Sequence, residues 1–483
     1  MLLAIILILI PLIAAGLCFV SGKKIAPIVG LFGTMLSFFY FLYMLTVYNV
    51  RHELMYNTSF NWIPEIKGIF HVGIDGYSII PLLLTQLVML FSLLYALNSN
   101  SNKPASYFGL LLLTQAFLNG FFIAQNPITF YLFFELALIP IYFLVLNWGG
   151  AERKKAVFKF FIYTIFGSLL LLASIIYIHS AIGANQLLSW KEFYFQKFPM
   201  HVQLYLLVAF FIAFGIKSPL FPLHTWQANL YSNSDKPTVI ILAALMSKMG
   251  VFGLLRFVYP VMPAINVYQP TIITICIIGI LYGALMAWRQ TDMNKLLAYS
   301  SLSHIGLIAA SIFVMNVQSI EGAMFQMFIH GLCVTGLFVV VGILESKSNS
   351  SNINDTSGLA RIEPRFASYF FIITLASIGL PLTAGFIGEF YMLYGLSKDN
   401  ILYSLFAGIS VILGAVYMFR FYQSVMFGKL KNGSLQSSSA INLNAEYILA
   451  IIALLVIIFG FFPGMWIDFA AFSFLEYSEY LPN

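Results

Sequence analysis

Long apolar runs dominate this sequence, and they restrict the chain to one kind of fold. A helix that crosses a lipid bilayer needs about 20 apolar residues, and the sequence contains fourteen runs of roughly that length. Since 60% of the residues are hydrophobic and only 9% are charged, the chain lacks the polar residues that a water-facing surface needs. We therefore predict an all-α polytopic membrane protein in which residues 1–483 form one transmembrane domain embedded in the lipid bilayer. The predicted spans are 1–20, 25–48, 77–98, 105–124, 128–147, 157–183, 203–224, 237–259, 270–288, 294–315, 319–345, 367–396, 400–428 and 446–470.

Composition and motifs exclude several functions. The cysteines Cys18, Cys276 and Cys333 lie in separate apolar runs without CxxC spacing, which argues against a zinc or iron–sulfur site and favours packing roles. The sequence has no Walker A or GxGxxG motif, so no nucleotide site of those kinds is expected. The first run has no basic segment before it and no cleavage site of small residues, so we expect it to be retained as a helix.

The basic residues are divided unevenly between the two sets of loops, and this predicts the orientation. Basic residues are enriched in the cytoplasmic loops of membrane proteins. The loops between spans 1–2, 3–4, 5–6, 7–8, 9–10, 11–12 and 13–14 are therefore predicted to be cytoplasmic, with both termini on the outer side. The net charge of +6 then comes from the loop residues that orient the protein in the membrane, and it does not indicate a nucleic-acid partner. The first set of loops holds Lys23, Lys24, Lys103, Arg153, Lys154, Lys155, Lys236, Arg289, Lys347, Arg361, Arg365, Lys429 and Lys431, and the alternate loops hold Arg51, Lys67, Lys191, Lys197 and Lys398.

Two spans contain residues that interrupt a helix. The seventh has Pro219 and Pro222, and the twelfth has the sequence GLPLTAGFIGEF over 379–390. Because a helix break in lipid frees backbone groups that protein or water must satisfy, broken helices at corresponding positions indicate an ion site between inverted repeats. We expect helices 1–3 in 1–98, one repeat of helices 4–8 in 105–259, a second of helices 9–13 in 270–428, and a final helix in 446–470. Two unrelated proline kinks remain an alternative.

Ionisable side chains occur singly inside several spans. Each costs about 2.5–3.5 kcal/mol at the centre of a helix, so each needs a partner or a function. Opposite charges could stabilise each other, and a lysine without a carboxylate partner is suited to gaining and losing a proton. We predict a row of such groups that relays protons through bridging water. The candidates are Glu135, Lys217, Lys248, His304, His330 and Glu389.

Simpler roles remain open for some polar residues. Each histidine could be a hydrogen-bonded packing residue, and Glu135 and Lys217 could form an ion pair. Arg256 lies near the end of a span and is interpreted as an interface anchor. Asp75 and Asp292 are interpreted as capping or turn residues.

Six segments between residues 73 and 396 together resemble the antiporter-like membrane subunits of respiratory complex I, the NADH:quinone oxidoreductase. That family also has fourteen helices. By position, the resemblance assigns Glu135 to the fifth-helix glutamate, Lys217 to the lysine of the broken seventh helix, and Lys248 to the central lysine. His304 and His330 match the histidines of the exit half. Glu389 matches a glutamate that most sister chains replace by lysine. The segments are FFELALIPIYFLVLNWGG, IKSPLFPLHTW, KMGVFGLLRF, RQTDMNKLLAYSSLSHIG, FQMFIHGL and GLPLTAGFIGEFYML.

The resemblance implies a proton-translocating subunit of the bacterial inner membrane that couples quinone reduction to pumping. NADH, FMN, iron–sulfur clusters and quinone would bind to other subunits, and sister antiporter-like chains would flank this one. The alternatives are a subunit of an Mrp-type cation/proton antiporter without a redox partner, and a scaffold that moves no proton. Asn229 and Tyr231 replace the aspartate and histidine that the family commonly has, and nearby Asp235 is a candidate substitute.

Overall fold

A computed structural model describes residues 3–48, 54–64, 68–98, 102–182, 190–194, 198–258, 261–429 and 441–464. Four of the basic loop residues and the last part of the predicted span 446–470 lie outside these ranges. The four residues are Arg51, Lys67, Lys197 and Lys431. The side chain of Lys191 is also outside the described part.

The described chain is a bundle of helices that confirms the predicted spans to within several residues. Thirteen helices are long and apolar enough to cross a membrane, and a further span is built from two shorter halves. The spans without a break are Leu3–Val20, Ala26–Val47, Gly76–Ala96, Pro104–Phe122, Arg153–Ile182, Met262–Arg289, Met293–Val314, Val317–Ser348, Ile401–Met426 and Leu443–Phe461.

The remaining four spans are irregular. The fifth consists of Pro127–Leu136 and Leu138–Trp148, and the seventh of Met200–Lys217, a turn and Gln227–Ser232. The eighth runs through Lys236–Ile241, the π-helical turn Leu242–Met246 and Ser247–Phe257. The twelfth consists of Pro364–Ser377 and Ala384–Asp399. Breaks in the seventh and twelfth spans confirm the sequence prediction, whereas the irregularities of the fifth and eighth were not predicted.

One predicted polar loop contains regular structure. Residues Met55–Ile63 (β1) and Gly68–Ile74 (β2) pair as an antiparallel hairpin. The backbone amide of Gly73 donates to the carbonyl of Ile123 at 2.9 Å, which attaches β2 to the end of the fourth span. The Asn126 side chain caps the fifth span and also donates to the carbonyl of Ile69 at 2.8 Å. The hairpin therefore closes one end of the bundle.

Burial separates the central helices from the peripheral ones. The apolar windows of the eighth and eleventh spans are 100% buried, whereas that of the thirteenth is 22% buried. The exposed faces of the first, second and thirteenth spans carry large apolar side chains such as Ile28, Phe32 and Ile412. Such faces suit contact with lipid or with other membrane helices. The eighth and eleventh spans carry two of the predicted site residues, Lys248 and His330, so the site lies in the interior of the bundle.

Candidate functional site

The break in the seventh span places Lys217 at the last residue of a helix. A cation is stabilised there because the carbonyl end of a helix carries partial negative charge. The carbonyls freed by the break are partly satisfied by protein groups: the Trp226 indole donates to the Ile216 carbonyl at 3.1 Å, and the Leu220 amide to the Gly215 carbonyl at 2.7 Å. The charge and the break in FGIKSPLFPLHTW therefore belong to one local arrangement.

Lys217 and Glu135 are neighbours but do not form an ion pair. Lys217 is 2% exposed, and its Nζ lies 3.5 Å from the Phe134 carbonyl oxygen and 4.4 Å from the centre of the Phe134 ring. Glu135 follows that phenylalanine and is close enough to interact electrostatically with the ammonium group. It is only half-buried. The direct pairing that the sequence left open is absent between these two described residues.

The π-helical turn Leu242–Met246 comes immediately before Ser247 and Lys248 and positions the lysine. Such turns are rare in proteins, and those that occur are often found at functional sites. The Ala243 carbonyl accepts hydrogen bonds from the Ser247 hydroxyl at 2.7 Å and from Lys248 Nζ at 3.0 Å. Lys248 itself is fully buried. Its ammonium group therefore points away from solvent and is held by uncharged oxygen atoms.

Four of the six predicted residues form one continuous row. Lys248 Nζ lies 2.7 Å from His330 Nδ1, and the rings of His330 and His304 are 5.2 Å apart between centroids. His304 Nδ1 lies 3.4 Å from Glu389 Oε1. Since an imidazole can both donate and accept a proton, the row is able to carry a proton from Lys248 to Glu389.

A cavity beside the two histidines provides room for water. It has a volume of about 10 Å³ and is lined by His304, His330, Ser300, Gln326 and Ser377, among others. In the described structure, His330 Nε2 and Gln326 Oε1 are buried without a hydrogen-bond partner. Buried polar atoms are normally satisfied, and a cavity of this size has room for about one water molecule that would contact them.

The break in the twelfth span sets the position of Glu389. Gly379 lies in this break with φ of +66°. A Cβ atom there would lie 2.2 Å from Glu389 Oε2. The carboxylate therefore rests directly against the backbone of the break, where only glycine leaves room for it. Glu389 is 4% exposed, so it faces the interior of the bundle.

The sequence interpretation of Arg256 as an interface anchor is wrong. Arg256 is fully buried, and its Nη1 lies 2.6 Å from Asp75 Oδ2. Asp75 also accepts from the Ser78 amide at 3.0 Å, so its predicted capping role is confirmed. Burial raises the pKa of the Asp75 carboxyl, but the charge and hydrogen bond of Arg256 and the hydrogen bonds of Ser78 outweigh this effect, leaving the pKa below its usual range. The pair links the third span to the eighth.

Residues that depart from the family pattern have different environments. Asn229 is exposed, whereas Tyr231 is fully buried with its hydroxyl unpartnered among the described residues. Asp235 accepts a hydrogen bond from the Tyr107 hydroxyl. Asp292, predicted to cap a helix, accepts from the Lys295 amide at 2.9 Å, which confirms that role.

Sequence reasoning missed the neutral residues that complete the row. Ser300 and Gln326 line the cavity, and the Ser300 hydroxyl lies 2.9 Å from that of Tyr417, 117 positions away in sequence. A serine or glutamine in an apolar span has many possible roles, so no sequence pattern singled these two residues out. Among the described residues, no group of three or more His, Cys, Asp or Glu side chains could hold a metal ion.

The fold and its buried charged row define an antiporter-like multi-pass membrane chain. A family model described as NADH:quinone oxidoreductase/Mrp antiporter, transmembrane, matches residues 124–401. NADH-quinone oxidoreductase subunit M of Rickettsia bellii is 38% identical over 443 residues, covering 90% of this chain and 88% of the relative. The chain therefore belongs to the NADH:quinone oxidoreductase/Mrp antiporter family, in the branch of subunit M.

Solved structures agree with this assignment. A chain in respiratory complex I from Thermus thermophilus with bound NADH has a TM-score of 0.89 and 27% identity, covering 99% of this chain and 100% of that one. A chain of the Mrp complex from a Dietzia species has a TM-score of 0.88 at 17% identity, covering 98% and 97% respectively. The second likeness shows the fold alone.

Proposed function

We propose that this chain is a proton-translocating subunit in the membrane arm of an NADH:quinone oxidoreductase. The observation that carries the proposal is the continuous row from Lys248 through His330 and His304 to Glu389 around a polar cavity. Relatives named subunit M and the likeness to a chain of complex I support the assignment to this enzyme.

Proton transfer would proceed along the row in short steps. The Lys248 ammonium donates a proton to His330 Nδ1, and the opposite nitrogen of that ring releases a proton toward cavity water and His304. Glu389 accepts the proton from His304 and releases it toward the outer side. Each donor returns to its starting state when it is reprotonated from the cytoplasmic side. All of these steps transfer protons, and none of them transfers an electron.

Lys217 and Glu135 would control when the proton moves. Ser218, next to Lys217, packs against Gly250, two residues beyond Lys248. Two unit charges 4 Å apart interact by about 4 kcal/mol at an effective dielectric constant of 20. That energy changes a protonation equilibrium roughly a thousandfold. An ion pair formed or broken between Lys217 and Glu135 would therefore be large enough in energy to alter the protonation of a group at a comparable distance.

The proposed setting follows from the family. NADH, FMN, the iron–sulfur clusters and quinone bind to other subunits, and sister antiporter-like chains flank this one in a bacterial inner membrane. Both termini lie on the outer side, as the basic loops indicate. The breaks in the seventh and twelfth spans support two inverted repeats, 105–259 and 270–428, between 1–98 and 446–470.

The test measures proton pumping in membrane vesicles that contain the assembled complex. Lys248→Ala, Glu389→Ala and Glu135→Gln are each expected to abolish or sharply reduce NADH-driven vesicle acidification. NADH oxidation by an artificial acceptor, which bypasses the membrane arm, should remain normal. Lys398→Ala, which removes a lysine exposed at one end of the bundle, is the matched control.

Sister chains suggest a further comparison at position 389. Glu389→Lys is expected to retain more pumping than Glu389→Ala, because lysine also supplies a titratable group there. Vesicles with Lys248→Ala that acidify at the wild-type rate would contradict the relay. That result would favour the alternative in which the chain is a scaffold that moves no proton.

The second candidate is a subunit of a cation/proton antiporter without a redox partner, which the likeness to the Mrp complex motivates. The presence of Glu389 argues against an antiporter subunit, since the antiporter chains of the Mrp type typically have lysine at that position. Purification of the chain from native membranes separates the two: co-purifying NADH-oxidising subunits support the oxidoreductase, and their absence supports the antiporter.

A further inference from the structure

A second cavity opens where several basic loops meet, at the end of the bundle predicted to be cytoplasmic. It has a volume of about 480 Å³ and is lined by Trp148, Ser234, Asp235, Lys236 and Glu345, among others. The loops after the fifth, seventh, ninth and eleventh spans all contribute residues to it. It is separate from the cavity beside His304 and His330.

The basic residue of this cavity already has partners. Lys236 Nζ lies 2.8 Å from Glu345 Oε1 and 2.7 Å from Asn294 Oδ1. Asn294 Nδ2 donates to the same carboxylate oxygen at 2.7 Å. Lys236 and Glu345 therefore form an ion pair, and Lys236 is committed to this network.

Asp235 has a different environment. The Tyr107 hydroxyl donates to its Oδ2, while its Oδ1 is buried next to the Thr238 hydroxyl and amide without a well-formed hydrogen bond among the described residues. No described ion pair includes this carboxyl. Burial raises its pKa above the usual range, although Thr238 and Tyr107 oppose the shift. The residue as a whole is only partly buried and lines the cavity, so water can reach one edge of it.

A buried hydroxyl lies between this cavity and the row. Tyr231 packs against Phe338, with ring centroids 5.9 Å apart, and its hydroxyl has no hydrogen-bond partner within the described part of the chain. Along the eleventh span, at 1.5 Å per residue, Phe338 lies about 12 Å from His330 and Glu345 about 22 Å from it. Tyr231 is therefore roughly midway, and a hydroxyl can pass a proton by accepting one and donating another.

We propose that Asp235 loads protons into this chain, taking them from water in the cavity and passing them inward past Tyr231 toward Lys248. The carboxylate gains a proton from water at the cavity and then loses it to water on the inner side. No bond other than O–H is made or broken. This inference rests on the proposed pumping function and assigns the group that supplies its protons.

The experiment compares two replacements of Asp235 in vesicles with the assembled complex. Asp235→Asn keeps the shape and the acceptor for Tyr107 but removes the acid, whereas Asp235→Glu keeps the acid and alters the fit. NADH-driven acidification should be lost in Asp235→Asn and retained in Asp235→Glu. The matched control is Asp355→Asn, at an exposed aspartate in the loop after the eleventh span, which should pump normally.

Three results separate the possibilities. Wild-type pumping by Asp235→Asn, or better pumping by Asp235→Asn than by Asp235→Glu, overturns the assignment of Asp235. Lys248→Ala in the same membranes tests the relay itself, so wild-type pumping by that variant contradicts the proposed function. If Asp235→Asn does not assemble, Tyr231→Phe replaces it as the test: loss of pumping supports the route, and wild-type pumping overturns it.

Discussion

At the scale of single residues, the buried cations of this protein are stabilised in different ways. Arg256 is held by a carboxylate, Lys217 lies at a helix end, and Lys248 contacts a carbonyl, a hydroxyl and an imidazole. Of these three cations, Arg256 is the one in a direct ion pair. The groups that contact the two lysines directly are neutral as long as His330 is unprotonated. Arg256 is therefore structural, whereas Lys248 is able to exchange a proton with its partner.

The Asp75–Arg256 pair gives a prediction about stability. Asp75→Asn leaves a buried guanidinium without its counter-charge, which costs about 3–5 kcal/mol. We expect the detergent-solubilised complex to melt at a lower temperature. Melting can be measured by the change in native fluorescence or by the loss of assembled complex. Asp399→Asn, an exposed aspartate, should melt like the wild type. Equal melting of both variants would show that the pair contributes little.

The same pair predicts a pH dependence. The pKa of Asp75 is lower in the folded protein than its usual value of 3.8, so the pair stabilises the fold above that pH. The contribution is lost as the pH falls through the folded-state pKa, because the protonated carboxyl resembles asparagine. The difference in melting temperature between wild type and Asp75→Asn should therefore shrink below pH 3.8. A constant difference at acid pH would contradict this explanation.

Gly379 gives a prediction about the site. In Gly379→Ala the new methyl group would lie 2.2 Å from Glu389 Oε2, at a backbone φ of +66° that costs an alanine roughly 1–2 kcal/mol. The carboxylate must then move away from His304, so vesicle acidification should fall sharply in the assembled complex. Gly408→Ala, where a Cβ would meet nothing within 4 Å, is the control. Normal pumping by Gly379→Ala would mean that the position of Glu389 is not critical.

At the scale of elements, irregular helix segments carry the site. Lys217 ends the helix before one break, Glu389 follows another, and Lys248 follows the π-helical turn. Each irregularity changes the direction of backbone carbonyls or opens space beside the helix, which a regular span in lipid does not do. The regular spans around the periphery supply the apolar surface.

The contact between the seventh and eighth spans gives a prediction at this scale. A Cβ at Gly250 would lie 2.0 Å from Ser218 Oγ and 2.5 Å from the Phe214 carbonyl oxygen. Gly250→Ala should separate the two spans and destabilise the protein by about 1–3 kcal/mol. Assembled complex in membranes and its melting temperature should both decrease, whereas Gly16→Ala, a position with open space, should change neither. A fully stable Gly250→Ala complex would show that this contact can relax.

At the scale of the whole molecule, the orientation can be tested by labelling introduced cysteines. Lys398→Cys should react with a membrane-impermeant maleimide added to intact spheroplasts, since its loop is predicted to face outward. Arg361→Cys should react only after the membrane is made permeable. Both positions are exposed, and the native cysteines Cys18, Cys276 and Cys333 are buried, so the background should be low. The reverse labelling pattern would invert the proposed orientation.

Residue patterns alone were enough to predict the number and approximate positions of the spans, the breaks in the seventh and twelfth, and the ionisable residues within them. These features are local, because the length of an apolar run is compared with the thickness of a bilayer, and proline and glycine act on their own helix. The π-helical turn before Lys248 and the hairpin of β1 and β2 were not predicted, since they depend on packing against neighbouring elements.

Contacts between charged groups of different spans could not be predicted from the sequence. Lys248 contacts His330, 82 positions away, and Arg256 pairs with Asp75, 181 positions away. The pairing of Glu135 with Lys217 that the sequence allowed does not form. Which side of a helix faces its neighbours depends on how all the spans pack together. A buried charge in one span therefore has a partner that its own sequence does not specify.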